Sequence, residues 1–379
     1  MGDWKHALFM AMRGFALERS RRPLIRTLLD AGWEVTCAGE RDGRVAALEA
    51  DGVRWVHVPF HTGCRGPRGI CRTAGRVRRL SMETRPTFVH LFNGLPVVIG
   101  SQFGWGGAVK FATITGLGGG FARSRTKRAA SYLGIMLAIA RTDVTIFQNP
   151  ADHGLFEGNP LLRGRSMTVV LGSGVSTSEF RPRETNRSGP VVVSMVSRLL
   201  RSKGVDDYLA AAGALNAEGV RAEFRLHGDV LPGGGDAYSE EEVKAASAAA
   251  GVSYLGFAPD MGGLYAGTDI LVLPTRYREG VPRVVLEAMS CGIPVVATDV
   301  PGCRDAIRHE SCGLLIEPDD RDALTNAIRR LIGDRGERER MGAEGRRRAV
   351  ERFDVESITR RYLDLYSRAG IPVDATARG

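Results

Sequence analysis

Two glutamates separated by seven residues, Glu279 and Glu287, frame a glycine and a proline in the stretch LVLPTRYREGVPRVVLEAMSCGIPVVATDV from Leu271 to Val300. The stretch reads as a buried strand, a loop, a helix and a second buried strand. Pro282 suits the first helical turn, where its missing N–H costs nothing. Gly280 leaves room for an anion to approach, and the backbone N–H groups of Gly280, Val281 and Arg283 point out of the positive end of the helix. A diphosphate is the ligand such an end favours, through the unsatisfied donors and the macrodipole together. At a rise of about 1.5 Å per residue the two carboxylates lie roughly 10 Å apart, the reach from a sugar, past a diphosphate, to a ribose. Each carboxylate can accept a pair of hydrogen bonds from vicinal hydroxyls. Two cations, Arg198 and Lys203, follow the buried run Val191–Val196 at the edge where α/β sheets bind ligands, and they suit the phosphates. Taken singly, Glu279 also reads as a dipole partner of the helix, and Glu287 as a solvated helix residue.

The elements that must hold these groups repeat along the chain. Short β-like runs at 6–12, 33–38, 53–58, 88–91 and 109–113 alternate with amphipathic segments such as 21–31, and the rhythm restarts at 191–196, 222–227, 253–257, 270–274 and 294–298. This alternation predicts parallel sheets with helices on both faces. The polar stretch 179–190, with Pro182, Gly189 and Pro190, reads as the linker. The expected organisation is a first domain over 1–183, a second over 190–354, and a helix over 355–370 crossing back to the first. Residues 322–352 read as one charged helix, and the chain after Gly370 as a frayed tail.

The stretch EGVPRVVLEAMSCGIPVVATDVPG resembles the donor-site signature of glycosyltransferase family 4, the retaining GT-B enzymes. VSRLLRSKGVDDYLAA (196–211), the Leu255–Phe257 run and the stretch 265–274 are similar to further motifs of that family. The resemblance implies an α/β GT-B fold, two Rossmann-like domains facing each other across a cleft. It implies that Arg198 and Lys203 grip the diphosphate, Gly256 and Phe257 meet the base, Glu287 the ribose, and Glu279 the transferred sugar. TITGLGGG (113–120) and VLGSGVSTSEF (170–180) resemble relatives that lengthen polyprenyl-diphosphate-linked saccharides. Two positions depart from the pattern: Thr115-Gly116 stand where many members have a histidine, and Ser176 stands where an aspartate is usual. His90, Asn93 and Thr115 remain as acceptor-side candidates, with a structural histidine an equal reading of His90.

Composition bounds the rest. A chain of 379 residues with 43% apolar content can bury two cores. Its net charge of +9 is uneven, with 26 Lys and Arg against 14 Asp and Glu up to Glu184 and 26 against 29 afterwards. Clusters at Arg65, Arg68, Arg72, Arg76, Arg78 and Arg79, and at Arg123, Arg125, Lys127 and Arg128, suit an anionic leaflet. The weakly charged segment 91–121 between them offers Phe92, Phe103 and Trp105 to an interface. A solvated Arg-rich surface is the plainer alternative. Six cysteines without a CxxC pair, and no secretory leader, fit a reducing cytoplasm; the longest apolar run, 129–140, is too short to span a bilayer. Asp320 and Asp322 form a D-x-D pair but open a helix, so capping is expected and no metal site. MAMRG after the first strand is not a dinucleotide fingerprint, and the glycine-rich loop at 116–120 lacks the P-loop Lys-Ser/Thr.

The function these features predict is a retaining, metal-independent glycosyltransferase without a cofactor. Its donor is a UDP-linked sugar, an N-acetylhexosamine among the candidates, and its acceptor a lipid-linked saccharide at the inner face of the plasma membrane in cell-surface polysaccharide synthesis. The alternatives are a sugar-nucleotide 2-epimerase of the same architecture, a transferase with a soluble acceptor, and a nucleic-acid-binding protein using the arginines, which leaves the glutamate pair unexplained.

Overall fold

The computed structural model describes residues 5–60, 62–64, 66–118, 125–182, 189–230 and 236–373. Arg65, Arg123, residues 119–121, the linker residues 183–188 and the tail from 374 lie outside them. The chain divides into two compact units, Met1–Ser173 with Val355–Gly379, and Gly174–Asp354.

The first unit holds seven parallel strands: β1 His6–Arg13, β2 Glu34–Glu40, β3 Arg54–His57, β4 Phe88–Phe92, β5 Val109–Ile114, β6 Val144–Phe147 and β7 Ser166–Val169. They lie in the order β3-β2-β1-β4-β5-β6-β7. Helices α1 Gly14–Asp30, α2 Val45–Ala50, α3 Gly66–Glu83, α4 Gly94–Gly100, α5 Arg125–Ile139 and α6 Pro150–Glu157 connect them. Ala7 to Ala11 of β1 are fully buried, as expected for a parallel strand covered on both faces. One apolar cluster joins Phe9, Phe88, Phe111 and Ile146 to α1; the other joins Leu8, Met10, Val89 and Phe147 to α3, α4 and α5.

The second unit repeats the plan with β8 Val191–Val196, β9 Ala222–His227, β10 Ser253–Gly256, β11 Ile270–Leu273, β12 Val295–Thr298 and β13 Gly313–Ile316, ordered β10-β9-β8-β11-β12-β13. Its helices are α7 Val205–Ala217, α8 Glu240–Ala249, α9 Met261–Ala266, α10 Arg283–Ser290, α11 Cys303–Ala306, α12 Arg321–Gly333 and α13 Arg335–Phe353. In this sheet the strand order reverses between β8 and β11, the switch point at which loops diverge and leave a crevice at the strand ends. The last helix, α14 Val355–Arg368, returns to the first unit and buries Ile358, Tyr362, Leu363 and Tyr366 in its core. The Tyr366 ring lies 4.6 Å from Phe88 and 4.8 Å from Phe111, centroid to centroid.

Several elements differ from the sequence expectation. β6, β7 and β13 are strands additional to the ten expected from the sequence. The expected helix over 322–352 is two, because the Asp334 side chain accepts from the Glu337 N–H and starts a new helix. Residues 174–182 pack with the second unit, through Val175 bridging Asp354 and buried Phe180, so that unit begins at Gly174. Phe92 and Trp105 are core residues, 2% and 1% exposed, with the Trp105 Nε1–H donating to the Gly100 carbonyl. They are not available to an interface.

Candidate functional site

The loops after β8, β11 and β12 meet beside the switch point of the second unit, and two glycines permit it. Gly204, at φ +79°, ends the turn Arg201–Lys203 in the left-handed region, where a Cβ would run into the Pro274 carbonyl. Gly302, at φ +88°, presses against the Gly280 carbonyl in the same way. The β11 loop is then tied down at several points. The Arg276 N–H donates to the Ser202 carbonyl at 2.9 Å, and its guanidinium pairs with Asp207 at 2.6 Å and with Asp319. Arg321 holds the other oxygen of the buried Asp207 at 2.7 Å.

On this frame Lys203 and Glu279 form an ion pair. Their side chains are 9% and 13% exposed, so removing one partner leaves a largely desolvated charge, at a cost of about 3–5 kcal/mol. Tyr277, which the sequence reading did not single out, is the surface on which the two expected cations converge. The Lys203 Nζ lies 4.7 Å and the Arg198 guanidinium 5.6 Å from its ring centroid, within cation–π range. Arg198 itself is exposed. An aromatic between two arginines in the loop was its only sequence signal.

Helix α10 starts one residue later than expected: Pro282 is its N-cap, and its carbonyl accepts from Val285 and Leu286. Gly280 and Val281 are buried against this end. Glu287 is not a solvated helix residue, being fully buried. One of its oxygens accepts from the Tyr265 hydroxyl at 3.0 Å, and the other from Arg283, one turn earlier, at 3.2 Å. Tyr265 also donates to the Val284 carbonyl at 3.3 Å and meets the edge of Phe180. Glu279 and Glu287 are thus each already paired with a cation.

Gly256 has φ +66°, and its carbonyl accepts from the Gly228 N–H at 2.9 Å; Phe257 beside it is 46% exposed. Both sit at the end of β10, two strand spacings or about 10 Å from β8. The structure brings them to the same edge of the sheet as Lys203 and Glu279 but not into that cluster. Asp320 caps α12, accepting from the Ala323 N–H at 2.8 Å. Among the described residues no cluster of metal-ligating side chains occurs.

In the first unit, Asn93 and Thr115 stand at the ends of β4 and β5 and are bonded to each other, Nδ2 to Oγ1 at 2.5 Å. His90 is not a site residue. It is fully buried inside β4, with its Nδ1 2.5 Å from the Tyr366 hydroxyl of α14 and its Nε2 2.7 Å from Thr113. Burial, with Arg21 nearby, holds its pKa well below the ordinary value. The covering tyrosine is 276 residues away in sequence, so no local pattern announces it. Buried Asp152 accepts from the Leu117 N–H at 3.2 Å and fixes the start of the glycine-rich loop. A cavity of about 720 Å³ lined by His6, Trp33, Glu34 and Arg54 opens where β1–β3 begin, the edge opposite to that at which such sheets bind ligands.

Known proteins share this architecture. The family model for glycosyl transferases group 1 matches residues 176–348. The chain is 26% identical over 386 residues to the N,N'-diacetylbacillosaminyl-diphospho-undecaprenol alpha-1,3-N-acetylgalactosaminyltransferase of Campylobacter jejuni, covering 95% of this chain and 98% of that one. Among solved structures, sucrose-phosphate synthase from Thermosynechococcus elongatus superposes with a TM-score of 0.80 at 19% identity, over 97% of this chain and 99% of that one. Anabaena HepE in complex with UDP-glucose superposes at 0.78 and 20% identity, over 96% and 99%. With the paired α/β units, these likenesses give the chain the GT-B fold of glycosyltransferases, and its second unit carries the match to the group 1 glycosyl transferase model.

Proposed function

We propose that the protein moves a sugar, with retention of anomeric configuration, from a UDP-linked donor to a saccharide carried on a polyprenyl diphosphate, in the assembly of a cell-surface polysaccharide such as O-antigen, capsule or exopolysaccharide. An N-acetylhexosamine is the sugar favoured. The observation that carries the reading is the convergence of Lys203 and Arg198 on Tyr277, beside Glu279 and the amino end of α10, at the switch point of the sheet. The acceptor class is supported by the Campylobacter relative, which matches over nearly its whole length and whose name specifies a diphospho-undecaprenol-linked saccharide. The nucleotide is supported by HepE, solved with UDP-glucose.

In this reading the donor diphosphate lies against Arg198, Lys203 and the N–H groups of Gly280, Val281 and Arg283. Glu279 accepts from the sugar hydroxyls, Glu287 from the ribose, and Gly256 and Phe257 border the base. As the sugar–oxygen bond breaks, negative charge grows on the departing diphosphate, where fixed cations and amide dipoles stabilise it without reorganising. The reading assigns that charge to the protein's own groups and not to a metal. The acceptor hydroxyl then attacks the oxocarbenium-like carbon from the leaving-group face. Asn93 and Thr115 are the acceptor-side residues that remain once His90 is set aside.

With such an acceptor the proposed reaction runs at the cytoplasmic face of the membrane. Among the described residues no helix is long and apolar enough to cross it. Peripheral contact would use α3 and α5, which both pack on α4 and expose Arg68, Arg72, Arg76 and Arg79, then Arg125, Lys127 and Arg128, with Leu133 and Leu137 also exposed. Co-sedimentation with vesicles containing anionic lipid, lost at high salt, is the expected result for this part.

The central test is turnover. A thermal-shift panel of UDP-, GDP-, ADP- and dTDP-sugars identifies the donor, and transfer to a polyprenyl-diphosphate saccharide is then followed by mass. Glu279→Ala and Lys203→Ala are each expected to lower kcat about 100- to 1,000-fold, roughly 3–4 kcal/mol of transition-state stabilisation. Near-normal turnover in folded Glu279→Ala removes the assignment. Formation of an epimer from UDP-GlcNAc without acceptor would move the reading to epimerase chemistry.

A further inference from the structure

The groups assigned to opposite parts of the donor hold each other. Lys203, assigned to the diphosphate, is paired with Glu279, assigned to the sugar; Arg283 is paired with Glu287, assigned to the ribose. The first pair is shielded, Lys203 and Glu279 being 9% and 13% exposed; in the second Glu287 is fully buried and Arg283 is 23% exposed. A diphosphate cannot take Lys203 while the carboxylate holds it without placing two anions on one ammonium in a poorly solvated site, which is repulsive. The site resolves this only when a second set of partners, the sugar hydroxyls, draws Glu279 away as the phosphates arrive. An intact nucleotide-sugar supplies both sets at once; a bare diphosphate supplies one.

We propose that Glu279 is an internal competitor for the diphosphate: it neutralises Lys203 in the empty site, releases it when donor sugar engages the carboxylate, and re-pairs with it after transfer, expelling the nucleoside diphosphate. The proposal rests on the donor-site reading above. It gives Glu279 a role after the chemical step, when the sugar has left and its hydroxyls no longer hold the carboxylate. The consequence is an opposite response to one substitution. Losing Glu279 lowers turnover, because the sugar contact is lost, yet strengthens binding of any diphosphate lacking a sugar, because Lys203 is freed. A residue that merely supports the fold gains no affinity when removed.

The probe is inorganic pyrophosphate, which has neither sugar nor nucleoside, titrated calorimetrically into the full-length protein. Glu279→Gln keeps the side chain's shape, and Glu279→Ala is the second variant should the first fail to fold; circular dichroism and thermal unfolding confirm the fold of each. Pyrophosphate is expected to bind Glu279→Gln at least tenfold more tightly than the wild type, and Lys203→Met more weakly. The double variant is expected to match Lys203→Met, because the competitor acts through that lysine. If Lys203→Met weakens binding while both Glu279 variants bind no more tightly than the wild type, internal competition is overturned and the donor-site reading stands. If Lys203→Met leaves binding unchanged, the assignment of the diphosphate to Lys203 falls, and the competition with it.

Discussion

Tyr265 and Tyr277 divide the work around the two glutamates. Tyr277 offers its ring face to Lys203 and Arg198, gathering two like charges without neutralising either. Tyr265 spends its hydroxyl on Glu287 and the Val284 carbonyl, so it sets the orientation of a carboxylate that has no contact with water. Replacing it with phenylalanine leaves a buried carboxylate oxygen short of a donor, a loss of about 1–3 kcal/mol. Tyr265→Phe is therefore expected to raise the donor KM about 5- to 50-fold, with a smaller change in kcat. The sign of its origin is selectivity: competitive inhibition by UDP and by its 3′-deoxy analogue should converge in the variant if Glu287 reads the ribose, and stay apart if it does not.

At the scale of elements, the cluster depends on loops that approach more closely than side chains permit. Gly302 lies against the Gly280 carbonyl with φ +88°, and a methyl group there is excluded by both the contact and the backbone conformation. Gly302→Ala is expected to push the Glu279–Gly280 segment from its place and lower kcat more than tenfold. Far-ultraviolet circular dichroism should stay unchanged, since the strands on either side are intact. The returning helix α14 is the other case. Tyr366 fills the space between Phe88, Phe111 and His90, so Tyr366→Ala opens a large cavity and strips His90 of a partner. A cost of about 3–5 kcal/mol is expected in the first unit alone. Urea unfolding followed by limited proteolysis of each unit should show that transition moving and the other standing still.

Among the described residues of the whole molecule, three histidines are held below their ordinary pKa of 6.5, His6 and His90 in the first unit and His227 in the second. Burial is the main cause in each. The unfolded chain then binds protons near pH 6.5 that the folded chain refuses, so stability rises with pH through this region. It is fully present above about pH 6.5 and is lost as the pH falls, by up to about 1.4 kcal/mol per pH unit for each histidine. Thermal unfolding between pH 8 and pH 5 should show the first unit, with two such groups, losing stability more steeply than the second. His90→Asn should flatten the first slope while lowering stability at pH 8, where its hydrogen bonds are lost. Equal slopes for the two units in the wild type would contradict the assignment.

The loop assigned to the donor in the proposed function was legible in the sequence because its logic is local: a strand, a glycine, a proline and a helix in immediate succession place Glu279, Gly280 and Arg283 without help from distant residues. The alternation of apolar runs likewise announced ten of the strands, since a parallel strand buried on both faces needs a continuous apolar run. β6, β7 and β13 escaped; length is not the reason, since β3, β10, β11 and β12 are equally short and were announced. The tertiary structure alone decided which polar groups face one another. His90, near the end of the apolar run 88–91, resembles a site residue until Tyr366 covers it inside β4, and Phe92 and Trp105 resemble interface aromatics until the helices close over them. The pairing of Lys203 with Glu279, 76 positions apart, was decided in the same way. Sequence spacing determines what one loop or one helix can present; the partners that bury, pair or neutralise it arrive from elsewhere in the chain, and only the packed fold brings them within reach.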